Sequence, residues 1–237
     1  MIKSLIIISI AANLIAWAFL IAALERSGGV SSLFSRFGFI KQENNLLQKP
    51  QYMGRVELLK NMPIGKSQII MLGDSITAGG EWQEFFPQSK IVNRGIGNDT
   101  STGILNRVDA YLKSYPDKIF LLIGINDLLN EGKVEDVFCN VTRIIDLISK
   151  NAPDSKLFIQ SVLPCRKDFH VDKKILQLNK KLQSESERRK IAYINLYSRY
   201  VGSDGEQLPH LFVSDGIHLS DRGYTMWVEI LRPYISQ

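Results

Sequence analysis

Gln68-Ile69-Ile70-Met71-Leu72-Gly73-Asp74-Ser75-Ile76-Thr77 is an apolar run that halts at a glycine and passes into small polar residues. Gln68–Leu72 is short for a helix and does not alternate, so it reads as a strand buried on both faces. The Gly-Asp-Ser that follows reads as a strand-to-helix turn. The same pattern recurs downstream, with strand-length runs at Lys90–Asn93, Lys118–Ile123, Lys156–Val162 and Ile191–Asn195. Helical spacing separates them. Ile104, Val108 and Leu112 recur every four residues after Thr100-Ser101-Thr102. Val134 to Lys150 carries Val137, Val141, Ile144, Ile145 and Ile148; Val171 to Arg189 carries Ile175, Leu178 and Leu182; Asp221 to Ile235 closes the chain. Strands alternating with helices predict a three-layer α/β/α domain around a five-stranded parallel sheet over residues 51–237. Ligands of such sheets sit at the carboxyl ends of the strands, so the residues just after each strand carry the functional question.

The remaining composition narrows the answer. The chain has 237 residues, 45% hydrophobic and 22% charged, with 29 basic against 24 acidic side chains. That is one globular domain's worth of chain, not a disordered or fibrous one. The net charge of +5 is scattered, and the densest basic run, Arg188-Arg189-Lys190, has acidic neighbours on a predicted helix end, so no nucleic-acid partner is expected. Cys139 and Cys165 lie in no metal-ligand spacing, and three histidines make a polyhistidine site improbable. No metal or other cofactor is implied.

Leu5 to Leu24 is the exception to the average composition, a twenty-residue apolar stretch interrupted only by Ser9 and Asn13. At about 1.5 Å per residue it matches a bilayer's hydrocarbon core. A cleaved signal peptide is the competing reading. Its apolar region is usually shorter, and Ala16-Trp17-Ala18 lies inside the run rather than beyond it. The expectation is therefore a single N-terminal transmembrane helix within residues 1–25, a linker over 26–50, and the α/β domain outside the cytoplasm. Lys3 on one side and Arg26, Arg36 and Lys41 on the other leave the charge rule undecided about orientation.

After the first strand, Ser75 in a tight turn can present its hydroxyl to the cleft or simply cap the next helix. After the second come Asn93-Arg94-Gly95-Ile96-Gly97-Asn98-Asp99-Thr100. The position of a dinucleotide fingerprint's third glycine is Thr100, and the turn is the second rather than the first, so nucleotide binding is not expected. Gly65-Lys66-Ser67 likewise lacks the first glycine of a phosphate loop and precedes a strand. After the third strand, Asn126 can donate its amide into the cleft or cap the next segment. Beyond the fifth strand, Asp215-Gly216-Ile217-His218 can set a carboxylate against an imidazole, the orienting acid and general base of a serine triad. His210 is a rival base with nothing comparable to orient it, and His170 reads as a loop residue. Together these residues make an acyl-transfer site.

In these motifs the sequence resembles the SGNH, or GDSL, hydrolase family over about residues 52–237. Gly73-Asp74-Ser75, Gly95-Ile96-Gly97, Gly124-Ile125-Asn126-Asp127 and Asp215-Gly216-Ile217-His218 occur in family order. Asn93–Gly97 and Gly223-Tyr224-Thr225-Met226-Trp227 make it similar to esterases related to platelet-activating-factor acetylhydrolase. The resemblance implies a flavodoxin-like sheet, with Ser75 as nucleophile, His218 as general base and Asp215 as its orienting acid. It also implies an oxyanion hole of the Ser75 N–H, a second-block N–H and the Asn126 side chain. The family usually has glycine just before the aspartate of that block, and here Asn98 stands there. Asn tolerates left-handed backbone, so the Asn98 N–H is the expected donor, with Gly97 giving clearance.

The function expected is a membrane-anchored serine esterase acting on small esters, lipids or acylated glycans, with short acyl groups favoured. Two alternatives stand beside it: an O-acyltransferase using the same triad, and an inert binding module held at the membrane.

Overall fold

The computed structural model describes residues 49–62, 64–65 and 68–236. Leu5 to Leu24, like most of the expected linker, lies outside them. No helix among the described residues is long and apolar enough to cross a membrane.

Five strands form one parallel sheet: β1 Ile69–Gly73, β2 Ile91–Gly95, β3 Lys118–Leu122, β4 Lys156–Gln160 and β5 Ala192–Ile194. Their order is β2-β1-β3-β4-β5, with Gly73 in register with both Gly95 and Leu122. β1 and β3 are buried at every position, which is why their sequence shows no alternation. Inside the sheet layer, Phe120 stacks on Phe158 at 4.5 Å.

Right-handed crossovers then fix the outer layers. Between β1 and β2 the chain moves one way along the sheet, through the short helices α2 (Ser75–Ala78) and α3 (Trp82–Phe85). The later connections move the other way, and their helices take the opposite face: α4 (Ser101–Arg107), α5 (Asp109–Leu112), α6 (Ile125–Leu129), α7 (Val134–Asn151) and α8 (Asp172–Arg189). The last helix, α9 (Asp221–Ile235), returns to the α2–α3 side, where Trp227 meets Trp82 edge-to-face at 4.7 Å. Lys118, buried at the start of β3, donates to the Tyr234 and Ile235 carbonyls (2.8 and 3.1 Å), placing a cation on the C-terminal end of α9.

One helix was not foreseen from the sequence. α1, Pro50–Asn61, buries only Tyr52 and Leu59, too few positions to make a periodic apolar stripe. A tertiary anchor decides it instead: the Tyr52 hydroxyl donates to Asp99 just ahead of α4.

The sheet reverses its winding between β1 and β3. The turns after those two strands therefore flank a crevice at the carboxyl edge, and those turns carry Ser75 and Asn126.

Candidate active site

Ser75 is the first residue of α2, and Asp74 caps that helix by accepting the Ile76 N–H at 3.0 Å. The side chain doing the capping is thus Asp74, which leaves the Ser75 hydroxyl free for the cleft. As a first-turn residue Ser75 also keeps an N–H with no intrahelical partner. Asn93 on β2 fastens this turn from outside, its amide donating to the carbonyls of Thr77, Ala78 and Gly80 at 3.0, 3.0 and 3.1 Å. Nothing in the sequence pattern marks that role.

Asp74 is fully buried, and burial pushes its carboxyl up to about 7; the Ile76 N–H opposes the shift, and the nearby Asp99 and Asp127 add to it. One of its oxygens, Oδ2, has no hydrogen-bond partner among the described residues.

The second turn brings Asn98 to φ 59°, the left-handed region that asparagine tolerates. Its side chain is exposed and its N–H has no partner among the described residues. At Gly97 an added Cβ would meet nothing within 4 Å, so no neighbouring protein atom demands glycine there. The third turn supplies Asn126, half-buried, whose amide donates to the Asp99 carbonyl at 2.9 Å. Its second amide hydrogen has no partner among the described residues. The next residue, Asp127, accepts the Ser101 N–H and hydroxyl at 2.9 and 2.6 Å, tying the turn after β3 to the start of α4.

The base arrives by a longer route than a strand end. Between Ile194 and Asp215 the chain passes through two single turns of 3₁₀ helix, Tyr197–Arg199 and Pro209–Leu211, so the pair lies in the loop that enters α9. Its local geometry is an aspartate-capped turn rather than a turn of helix. Asp215 Oδ1 accepts the Ile217 and His218 N–H groups at 2.8 and 2.9 Å, with Gly216 at φ 70° between them. An L-residue at Gly216 would be strained there, and its Cβ would press on Arg166 Cβ at 2.6 Å.

That turn leaves Asp215 Oδ2 2.6 Å from His218 Nδ1, and His218 Nε2 2.8 Å from Ser75 Oγ. The slight burial of Asp215 works to raise its carboxyl, but the His218 ring and the two N–H groups outweigh it and hold the group at about 2. An ionised carboxylate at Nδ1 fixes the proton there and leaves Nε2 to accept from the serine. His210 is exposed, and its backbone carbonyl accepts the Ser220 hydroxyl. His170 ends a 3₁₀ turn in left-handed backbone. Cys139 and Cys165 are both free, one exposed on α7 and the other buried after β4.

A cavity of about 510 Å³ borders the Asp215 turn, lined among others by Arg166, Tyr197, Gln207, Phe212 and Ser214. Arg166 secures the turn beside it: its N–H donates to the Gly216 carbonyl and its guanidinium to the Ser214 carbonyl. Neither Ser75 nor His218 lines this cavity.

The chain is 26% identical over 177 residues to the rat platelet-activating factor acetylhydrolase IB subunit alpha2, covering 71% of this chain and 76% of that one. It is 25% identical over 191 residues to an N-acylneuraminate cytidylyltransferase of Streptococcus agalactiae, and spans only 42% of that protein's length. A solved structure of a Streptococcus pneumoniae protein described as a platelet activating factor superposes with a TM-score of 0.71 at 27% identity, covering 80% of this chain and 94% of that one. A sequence model of the GDSL-like lipase/acylhydrolase family matches residues 71–226. With the five-stranded sheet and the signatures in place, the chain belongs to the GDSL-like lipase/acylhydrolase family and is an ester hydrolase of the SGNH type.

Proposed function

We propose that the protein is a serine esterase that removes short acyl groups through a covalent acyl-enzyme. The observation that carries this reading is the unbroken chain from Asp215 Oδ2 to His218 Nδ1 and from His218 Nε2 to Ser75 Oγ, at 2.6 and 2.8 Å. Ser75 Oγ attacks the ester carbonyl while Nε2 takes its proton, and the imidazolium then protonates the departing alcohol. Water, deprotonated in turn by His218, releases the acid and restores the serine. The negative oxygen of each tetrahedral intermediate is held by the N–H groups of Ser75 and Asn98 and by the Asn126 amide. Gly97 leaves room beside that group.

Short acyl chains are favoured by the likeness to an acetylhydrolase. An acylated sugar is the next substrate to test, because another relative is named for an N-acylated sugar. Leu5 to Leu24 anchors the chain to a membrane, with the catalytic domain outside the cytoplasm. The test uses the full chain in detergent, with p-nitrophenyl esters from acetyl to long-chain and Ser75→Ala alongside. Acetyl ester turned over with a burst of p-nitrophenol, absent from the variant, supports the reading. Undiminished turnover in Ser75→Ala refutes the serine mechanism, and preference for long chains replaces short acyl groups with lipids.

A further inference from the structure

The Asp99 carboxylate sits at 0% exposure beneath the turn that presents Asn98, and its hydrogen bonds come from Tyr52, Thr100 and Arg107. Oδ1 accepts from the Tyr52 hydroxyl at 2.8 Å and the Thr100 N–H at 2.9 Å. Oδ2 accepts from Arg107 Nε at 2.8 Å and lies 2.7 Å from its terminal nitrogen. Arg107, 1% exposed, then reaches the Gly73 carbonyl at 3.0 Å, two residues ahead of the nucleophile, and the Tyr111 hydroxyl at 3.1 Å. The Asp99 carbonyl is the acceptor that aims Asn126. One carboxylate thereby ties together the backbone before Ser75, the turn of Asn98 and the amide of Asn126. Gly103 makes room for it, since any Cβ there would overlap Asp99 Oδ1.

Stability alone does not account for such a cluster, because a buried ion pair is often matched or bettered by apolar side chains of the same volume. What apolar side chains cannot do is fix three donors from three strand-end turns. Burial, with the Asp99 carboxylate beside it, pushes the Tyr52 phenol far up, so the hydroxyl stays a donor. Tyr52 comes from α1, which is otherwise remote from the chemistry.

We infer that Tyr52, Asp99 and Arg107 are positioning residues of the oxyanion hole, through which α1 holds the Asn98 and Asn126 donors in register with Ser75. The inference rests on the esterase reading above. Tyr52→Phe removes one donor and changes almost no volume. It should lower kcat, per active site counted by the p-nitrophenol burst, roughly tenfold while KM stays within about twofold, since small misplacements of catalytic groups are costly. Arg107→Lys, which keeps a charge beside Asp99 but loses the reach to Gly73, should give the same split. In an Asn126→Ala background the Tyr52→Phe loss should shrink to about threefold or less, because the two act through one donor set. Ile148→Ala opens a cavity on α7 instead of α1, and should lower Tm while keeping kcat per counted site. A Tyr52→Phe enzyme that loses Tm and keeps kcat per site overturns the inference alone. A wild-type chain that turns over no p-nitrophenyl ester, or turns it over no faster than Ser75→Ala does, refutes the esterase reading and the inference with it.

Discussion

Asn126→Ala separates what the oxyanion hole contributes to rate from what it contributes to fold. The side chain makes one internal hydrogen bond, to the Asp99 carbonyl at 2.9 Å, and is only half-buried. Losing one such bond costs about 1 kcal/mol. For a domain of this size that lowers Tm by about 2–4 °C. The effect on rate should be much larger. The remaining amide hydrogen is one of three donors proposed to meet the developing oxyanion, and removing one donor of this kind costs roughly 10²–10³ in kcat, or about 2.7–4 kcal/mol. A bond made only in the transition state leaves KM nearly unchanged. Rates should be taken with p-nitrophenyl acetate under both steady-state and single-turnover conditions, beside a thermal melt of the same preparation. A variant whose kcat falls less than about tenfold with the fold intact refutes the assignment of Asn126 as an oxyanion donor. A fall in Tm above about 10 °C would instead show that its bond to Asp99 holds the sheet edge together.

Two further outcomes follow from the charged groups beside Ser75. Asp215→Asn should lower kcat by about 10²–10³, less than the roughly 10⁴ found for a buried triad aspartate, because this carboxylate is 46% exposed and water replaces part of it; unchanged kcat would remove Asp215 from the mechanism. Asp74, pushed up to about 7 by burial, keeps a proton that the unfolded chain has released between about pH 4 and 7, so stability falls as pH rises through that window. Asp74→Asn keeps an acceptor for the Ile76 N–H and should flatten that slope, with the gain over wild type reaching about 4 kcal/mol by pH 8 in denaturant melts at pH 4.5, 6 and 8. An unaltered slope would mean that Asp74 is ionised throughout.

The strands were legible because a sheet covered on both faces demands uninterrupted apolar runs, and β1 and β3 supply them. α7 was equally plain, its Val137, Val141, Ile144, Ile145 and Ile148 all buried on one stripe. The order of the strands was not legible from the runs themselves, because periodicity says which face a residue takes and not which neighbour a strand has. Nor was α1, whose two buried residues form no pattern until α4 is beside them. The left-handed backbone at Asn98 could be anticipated from the residue type standing in a glycine's place. The partners of Asp99 could not, since Tyr52 is 47 positions away and only the folded chain brings it there. The Asp215–His218 pair was recognisable from its spacing, whereas the route to it, through two 3₁₀ turns rather than straight from β5, leaves no hydrophobic signature.

The bond between Ser75 and His218 joins positions 143 residues apart, linking the first turn of the sheet to the loop before the last helix. Ser75 follows a strand sealed at every position, while the His218 and Asp215 side chains are 44% and 46% exposed on a turn whose main-chain N–H groups donate to the Asp215 carboxylate. The two halves of the contact therefore stand at opposite ends of the range of local stabilities. On warming, the imidazole should part from the serine before the sheet yields, so the acylation burst should be lost at a temperature below that of the global melt.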